Sequence, residues 1–244
     1  TDVSFISNLV SSGDGGGMSN EDGHPTLTNV AFIGNSAYEG GGLSNGWDSG
    51  NGPLTNVLFS GNSATYGGGM AVSFSSSNSS TLTNVTFAGN NAGNSGGAMY
   101  NHEGSPSIQN SIFWGNTAAV SGTQIYYVGG DNTTQITSTL IQGSGGSDNW
   151  DSYLGVDNGN NLDADPRFVN PIDAANAPTT EGDYRLGYNS PALDAGDNTL
   201  IPTGVTTDLD GNSRIYNSTV DLGAYEAQTD LIPPVVTVDT LSTS

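Results

Sequence analysis

The chain has 244 residues, 24 of them acidic and only three basic, for a formal net charge of −21, and it contains no lysine. Such a chain offers no cationic stripe to exchange for counterions, so nucleic acid and anionic membrane surfaces are poor partners. Cysteine is absent, which removes disulfides and thiolate metal sites, and no apolar run approaches the roughly 18 residues needed to insert in a bilayer.

The polar composition would border on disorder if it were aperiodic, but Phe5, Phe32, Phe59, Phe87 and Phe113 recur every 26–28 residues. Asn8, Asn35, Asn62, Asn90 and Asn116 follow them in fixed phase. Leu-Thr-Asn-Val precedes three of the phenylalanines, at Leu27, Leu54 and Leu82, with Ile108-Gln-Asn-Ser as a fourth version. Glycine clusters follow: Gly15-Gly-Gly-Met18, Gly40-Gly-Gly-Leu43, Gly67-Gly-Gly-Met70 and Gly96-Gly-Ala-Met99.

Each unit divides into short strands. Val85-Thr86-Phe87 alternates in, out, in, and Leu82 supplies an inward residue before a bend at Asn84. Gly-Asn makes a turn, and the glycine cluster begins another strand that permits close backbone approach. Three brief strands per unit of about 27 residues predict an all-β, right-handed parallel β-helix (β-solenoid) of five to seven coils. Phe32, Phe59, Phe87 and Phe113 are then an internal ladder, and Asn35, Asn62, Asn90 and Asn116 a hydrogen-bonded turn ladder.

Loops of variable sequence leave the coils at one corner. Glu21, Asp22 and His24 lie in the first, Trp47 and Asp48 in the next, a serine tract from Ser73 to Ser80 in the third, and His102 and Glu103 in the fourth. Such a corner is where solenoids commonly bind, so these residues are the binding-loop candidates. A metal site or acid/base pair at His24 and His102 competes with a reading of exposed polar loop residues.

After Phe113 the repeat loosens, with Gln124-Ile-Tyr-Tyr-Val128 and Gln135 to Ile141 as further coil strands. The expected division is coils over 1–145, an acidic C-terminal cap over 146–228 that packs on and closes the solenoid, and an extended tail over 229–244. Of the 24 acids, 17 follow position 130. Asp208-Leu-Asp-Gly-Asn resembles a fragment of a calcium loop, making Asp208 and Asp210 candidate ligands for calcium as the one cofactor, against the alternative of a plain Asp-Gly turn. Arg214 with Asp194, Asp208 or Asp221, and Arg167 with Asp163 or Asp165, are expected to be fold-closing ion pairs.

Two activities are weighed against the repeat. A lyase on acidic glycans needs a basic residue, and residues 1–166 hold no Lys or Arg. A hydrolase needs two carboxylates about 5–10 Å apart, and Asp22, Glu39, Asp48 and Glu103 offer no repeated spacing. A flat ice-binding array would use outward Thr28, Thr55 and Thr83, but the second outward column, Ala31, Leu58 and Thr86, interrupts it.

The unit Leu-Thr-Asn-Val-Thr-Phe-x-Gly-Asn followed by Gly-Gly-Ala-Met-Tyr-Asn resembles the repeats of bacterial surface β-helix proteins, including the polymorphic outer-membrane adhesins. Residues 165–226 are similar to the end of the "choice-of-anchor" β-helix proteins: Asp165-Pro-Arg-Phe-Val169, Asp183-Tyr-Arg-Leu186, Ser190-Pro-Ala-Leu-Asp-Ala-Gly-Asp197, Thr207-Asp-Leu-Asp-Gly-Asn-Ser-Arg214 and Val220-Asp-Leu-Gly-Ala-Tyr-Glu226 occur in order. The resemblance implies a secreted bacterial protein at the cell surface and carries over no catalytic residue. Leu231 to Ser244 resembles the opening strand of a bacterial immunoglobulin-like domain. The resulting expectation is a non-enzymatic extracellular adhesion or structural module whose partners are a glycan, a protein surface or copies of itself. The alternative is a glycoside hydrolase acting on neutral glycans.

Overall fold

The computed structural model describes residues 1–46, 52–73, 79–129 and 132–228. Trp47, Asp48 and the tail from 229 lie outside them. The described chain is a three-sided parallel β-solenoid. Its first coil holds β1 (Val3–Ile6) and β2 (Met18–Asn20), and its second β3 (Leu27–Ile33), β4 (Ser36–Glu39) and β5 (Leu43–Gly46). The third holds β6 (Leu54–Ser60), β7 (Ser63–Tyr66) and β8 (Met70–Ser73), and the fourth β9 (Thr81–Ala88), β10 (Asn91–Ser95) and β11 (Met99–His102). The fifth holds β12 (Ser107–Gln109), β13 (Ile112–Trp114), β14 (Thr117–Ala118) and β15 (Ile125–Val128). Beyond it come β16 (Gln135–Thr137), β17 (Leu140–Ile141) and β18 (Val156–Asp157).

Sheet A stacks β1-β3-β6-β9-β12-β16-β18, sheet B β4-β7-β10-β14, and sheet C β2-β5-β8-β11-β15. Register follows the repeat: Phe32 pairs with Phe59, Phe59 with Phe87, and Phe87 with Phe113. The rings of Phe5 through Phe113 stack inside the coils with centroids 5.0, 4.9, 4.5 and 4.6 Å apart. The bend expected at Asn84 is a left-handed residue, φ 54°, repeated at Asn29, Asn56 and Asn110; asparagine tolerates that conformation better than a branched residue would.

The asparagine ladder is complete. Asn35 Nδ2 donates to Asn62 Oδ1 at 3.0 Å, Asn62 to Asn90 at 2.9 Å, and Asn90 to Asn116 at 2.8 Å. Each Oδ1 also accepts the backbone N–H of the asparagine one coil back, and each Nδ2 gives its second hydrogen to a phenylalanine carbonyl, as Asn62 does to Phe32 at 2.9 Å. Gln124 Oε1 closes the row by accepting from Asn116 at 2.7 Å. These amides are buried, so leaving one unpaired would cost about 1–3 kcal/mol.

The glycine clusters are steric necessities. A Cβ on Gly41 would lie 2.3 Å from the Gly68 carbonyl oxygen, and one on Gly42 2.9 Å from the Phe59 ring.

The acidic segment departs from its expected place in two respects. Coil geometry runs past 145: Asn161 donates to the Ile136 carbonyl and accepts from Thr139 N–H, and Leu162 bridges to Leu140. The boundary therefore falls near 163. The segment from there to 228, with β19 (Phe168–Asn170) and β20 (Asp183–Leu186) as an antiparallel pair, lies along the outer side of sheet A instead of across an end. The reason is the outward column Ala31, Leu58, Thr86, Ile112 and Leu140, an apolar stripe broken by one threonine. Phe168, Tyr184, Leu186, Ala192 and Leu222 cover it, and Thr86 Oγ1 accepts the Ala224 N–H at 3.0 Å. Of the threonines weighed as an ice-binding face, Thr55 and Thr83 are thus buried, at 4% and 1% exposed, and Thr28 is partly buried.

Candidate functional site

With sheet A covered, the outer surfaces of sheets B and C and the loops between coils carry what the molecule presents. The B-to-C corner turns at Gly40, Gly67 and Gly96, with φ of 62°, 66° and 73°. Having no side chains there, the corner is filled by rings from both sides. Tyr38 and Tyr66 come from sheet B, Tyr100 and Tyr126 from sheet C.

The four rings form a continuous row. Tyr38 and Tyr66 meet edge to face at 5.8 Å, Tyr66 and Tyr100 are tilted at 5.2 Å, and Tyr100 and Tyr126 stack at 5.8 Å. Tyr38 is half exposed, and the other three are partly buried by their neighbours. Asn94 Nδ2 donates to the Tyr66 hydroxyl at 3.3 Å. Burial, then the Glu39 carboxylate and the neighbouring phenols, push the Tyr100 hydroxyl above its usual range.

Beside Tyr38 lies a recess of about 160 Å³ that gathers the side chains of Asp14, Glu21 and Glu39 with Ser44 and Ser73. Glu39 Oε2 accepts from the Ser73 hydroxyl at 2.6 Å. The row and the recess together place phenol edges, hydroxyls and carboxylates on a rigid surface. That set can donate to and accept from polyhydroxylated ligands, and the half-exposed Tyr38 ring adds an apolar face.

Of the loop residues nominated from sequence, Glu21 reaches the recess, and Asp22 and His24 are exposed beyond it. His102 packs edge-on against Tyr100 at 6.4 Å, and Glu103 is exposed at φ 67°. Their loops are built alike: Asn20 Oδ1 accepts from Gly23 N–H and Asn101 Oδ1 from Gly104 N–H, each at 3.0 Å. Three coils separate them, about 14 Å at the usual strand spacing, so His24 and His102 do not form one site. Asp14 and the tyrosines were not nominated, and Glu39 was weighed only as a hydrolase carboxylate. Their signal is Tyr38-Glu-Gly-Gly and Tyr66-Gly-Gly ahead of the corner and Met99-Tyr100 and Ile125-Tyr126 after it, readable only once the two strands are known to meet there.

The flanking segment holds a second polar cluster. Arg214, 1% exposed, pairs with Glu226 Oε2 at 2.9 Å, a partner the sequence reading missed. It also donates to the Asp221 and Gly223 carbonyls and reaches Asn56 Oδ1 at 3.5 Å. Asp208 accepts from the backbone N–H groups of Asp210, Asn212 and Glu226. Asp210 is gripped by Arg185 through Nε at 2.7 Å and a second N–H at 2.9 Å. A calcium ion at this turn would have to compete with those donors, and among the described residues no group of three or more His, Asp or Glu side chains is placed to hold a metal. Arg167 departs from its expected role: its side chain is exposed and forms no ion pair among the described residues. Its left-handed backbone, φ 52°, is what braces the segment, with its N–H on Asp165 and its carbonyl accepting from Gly187.

The parallel solenoid is the part of the sequence resemblance that the structure bears out. No protein-family model matches the chain, and no curated protein matches it.

Proposed function

We propose that the chain is a non-enzymatic module of an extracellular, bacterial cell-surface protein, and that it binds glycan through the corner between sheets B and C. The observation that carries this reading is the row Tyr38-Tyr66-Tyr100-Tyr126 beside the carboxylate recess. Its ring spacings are close to the rise of one sugar in an extended β-linked chain. The net charge of −21 disfavours anionic glycans and leaves neutral or amino-sugar polymers as the ligand class. Solenoid rigidity fits the role, because stacked coils hold the row without an ordering cost on binding.

The clustering of Asp14, Glu21 and Glu39 favours one second reading, hydrolysis of a neutral glycan by a carboxylate pair. A glycan array combined with a hydrolysis screen separates the two. Binding without products, lost on Tyr66→Ala or Tyr100→Ala, supports the module. Turnover abolished by Glu39→Gln or Glu21→Gln supports the hydrolase, and silence in both assays overturns the glycan reading.

A further inference from the structure

The flanking segment meets sheet A along the column of left-handed residues that bends each coil. In the third, fourth and fifth coils that residue is an asparagine whose amide donates to a carbonyl of the segment: Asn56 to Thr207 at 2.7 Å, Asn84 to Asp221 at 3.3 Å and Asn110 to Asp197 at 2.9 Å. One level on, the register that pairs Gln109 with Thr137 and Ile112 with Leu140 puts Ser138 in the column at φ 45°, and Asn160 follows at φ 59°. The segment supplies no carbonyl to either side chain. Ser138 is 1% exposed, yet its hydroxyl has no hydrogen-bond partner among the described residues. A buried polar group in that state calls for a partner from outside the chain.

In place of the missing contact lies a recess of about 580 Å³, bordered by Ser138, Asn160, Leu162, Ala195 and Asp197. Its rim is fixed: Gly196 N–H bonds the Val220 carbonyl at 2.8 Å, and the Asn198 amide takes the Val220 N–H at 2.9 Å and the Ser218 carbonyl at 2.8 Å. Asp197 Oδ1 accepts from the Thr199 N–H at 2.8 Å and hydroxyl at 2.7 Å, which leaves Oδ2 without a donor among the described residues. Leu162 and Ala195, partly buried on the apolar cluster beneath the segment, form the apolar wall. Asn160 is exposed, and its amide makes no hydrogen bond among the described residues.

The recess thus combines two unmet donors, the Ser138 hydroxyl and the Asn160 amide, with one unmet carboxylate oxygen and a small apolar wall. At the three preceding levels such a donor meets a peptide carbonyl. An acetamido group brings the same carbonyl, an N–H for the carboxylate and a methyl for the apolar wall. We propose that this recess binds the acetamido group of an N-acetylated sugar, as a second glycan site on a different face from the tyrosine row. Asp197 and the net charge of −21 disfavour acidic members of that class. The preformed rim keeps the ordering cost of binding low.

The test uses the full chain with methyl N-acetyl-β-glucosaminide as the probe and methyl β-glucoside as its control, in saturation-transfer NMR and titration. The acetyl methyl protons are expected to take the strongest saturation, and the control to bind at least fivefold more weakly. Asn160→Gly removes an exposed side chain at a backbone angle that glycine accepts, and Asp197→Asn keeps an acceptor for Thr199. Each is expected to fold as wild type and to weaken the probe at least fivefold, with the same result in a Tyr66→Ala chain that silences the tyrosine row. Absence of acetyl saturation, or equal binding of probe and control, overturns the proposal. So does binding that survives both recess variants and is lost on Tyr66→Ala, which would move the sugar to the row. None of these failures bears on the array result for the row, so the two readings fall separately.

Discussion

In the coils every stabilising contact is made several times over: a phenylalanine on a phenylalanine, an asparagine amide on an asparagine amide, coil after coil. In residues 163–228 each contact is made once. Arg214 reaches Glu226, Asp221 and Gly223 together, Asp208 ties three backbone N–H groups, and no neighbouring layer repeats either arrangement. Repetition spreads the cost of a defect over neighbours that still hold register, whereas a hub concentrates it.

The largest effect is expected from breaking the ladder itself. Phe59→Ala opens a cavity between Phe32 and Phe87 and should cost about 4 kcal/mol in chemical denaturation. Asn62→Ala leaves the buried Asn35 N–H without its acceptor and removes the amide bonds on both sides. About 3 kcal/mol is expected, with the whole solenoid still unfolding in one transition.

The hub should fail differently. Arg214→Gln leaves Glu226 and Asp221 buried without their cation, at a cost of about 3 kcal/mol. Hydrogen exchange should then show residues 206–226 opening ahead of the coils; simultaneous loss of both would remove the distinction drawn between the two regions.

A pH series sharpens the same contrast. Burial, then the charge of Asp221, push the Glu226 carboxyl up to about 7 against the opposing hydrogen bonds from Tyr216 and Asp221 and the charge of Arg214; its ordinary value is 4.5. The folded state thus holds a proton that the unfolded chain has lost, so this group favours folding at acid pH. That contribution declines as pH rises from about 4.5 through about 7. Wild type should lose stability over this window relative to Glu226→Gln, and parallel curves would refute the assignment. The smallest change is expected at Arg185→Ala, about 0.5 kcal/mol, because that side chain is 52% exposed and its ion pairs with Asp183 and Asp210 are screened by solvent.

The comparison also explains what could be read from the chain beforehand. The ladders of Phe59 and Asn62 announce themselves because their partners are the same residue one period away. The Arg214–Glu226 pair was missed because candidate carboxylates crowd the segment, and only tertiary placement selects among them. The covered face misled for a related reason: Ala31 and Leu58 look like flaws in an outward threonine array until the segment that packs on them is in view. The tyrosine row was hidden because its members lie on different strands that become neighbours only across a glycine corner.

The flanking segment is anchored to the third, fourth and fifth coils. Thr179 N–H meets the Gly61 carbonyl, the Thr207 carbonyl meets Asn56, the Asp221 carbonyl meets Asn84, and Asp197 meets Asn110. A bare stack of coils has no intrinsic length, since one more or one fewer unit fits as well as the last. This strap is a ruler laid along the stack. Deleting one whole repeat, harmless to the stacking itself, would shift every later anchor by one layer and leave the strap one rung too long.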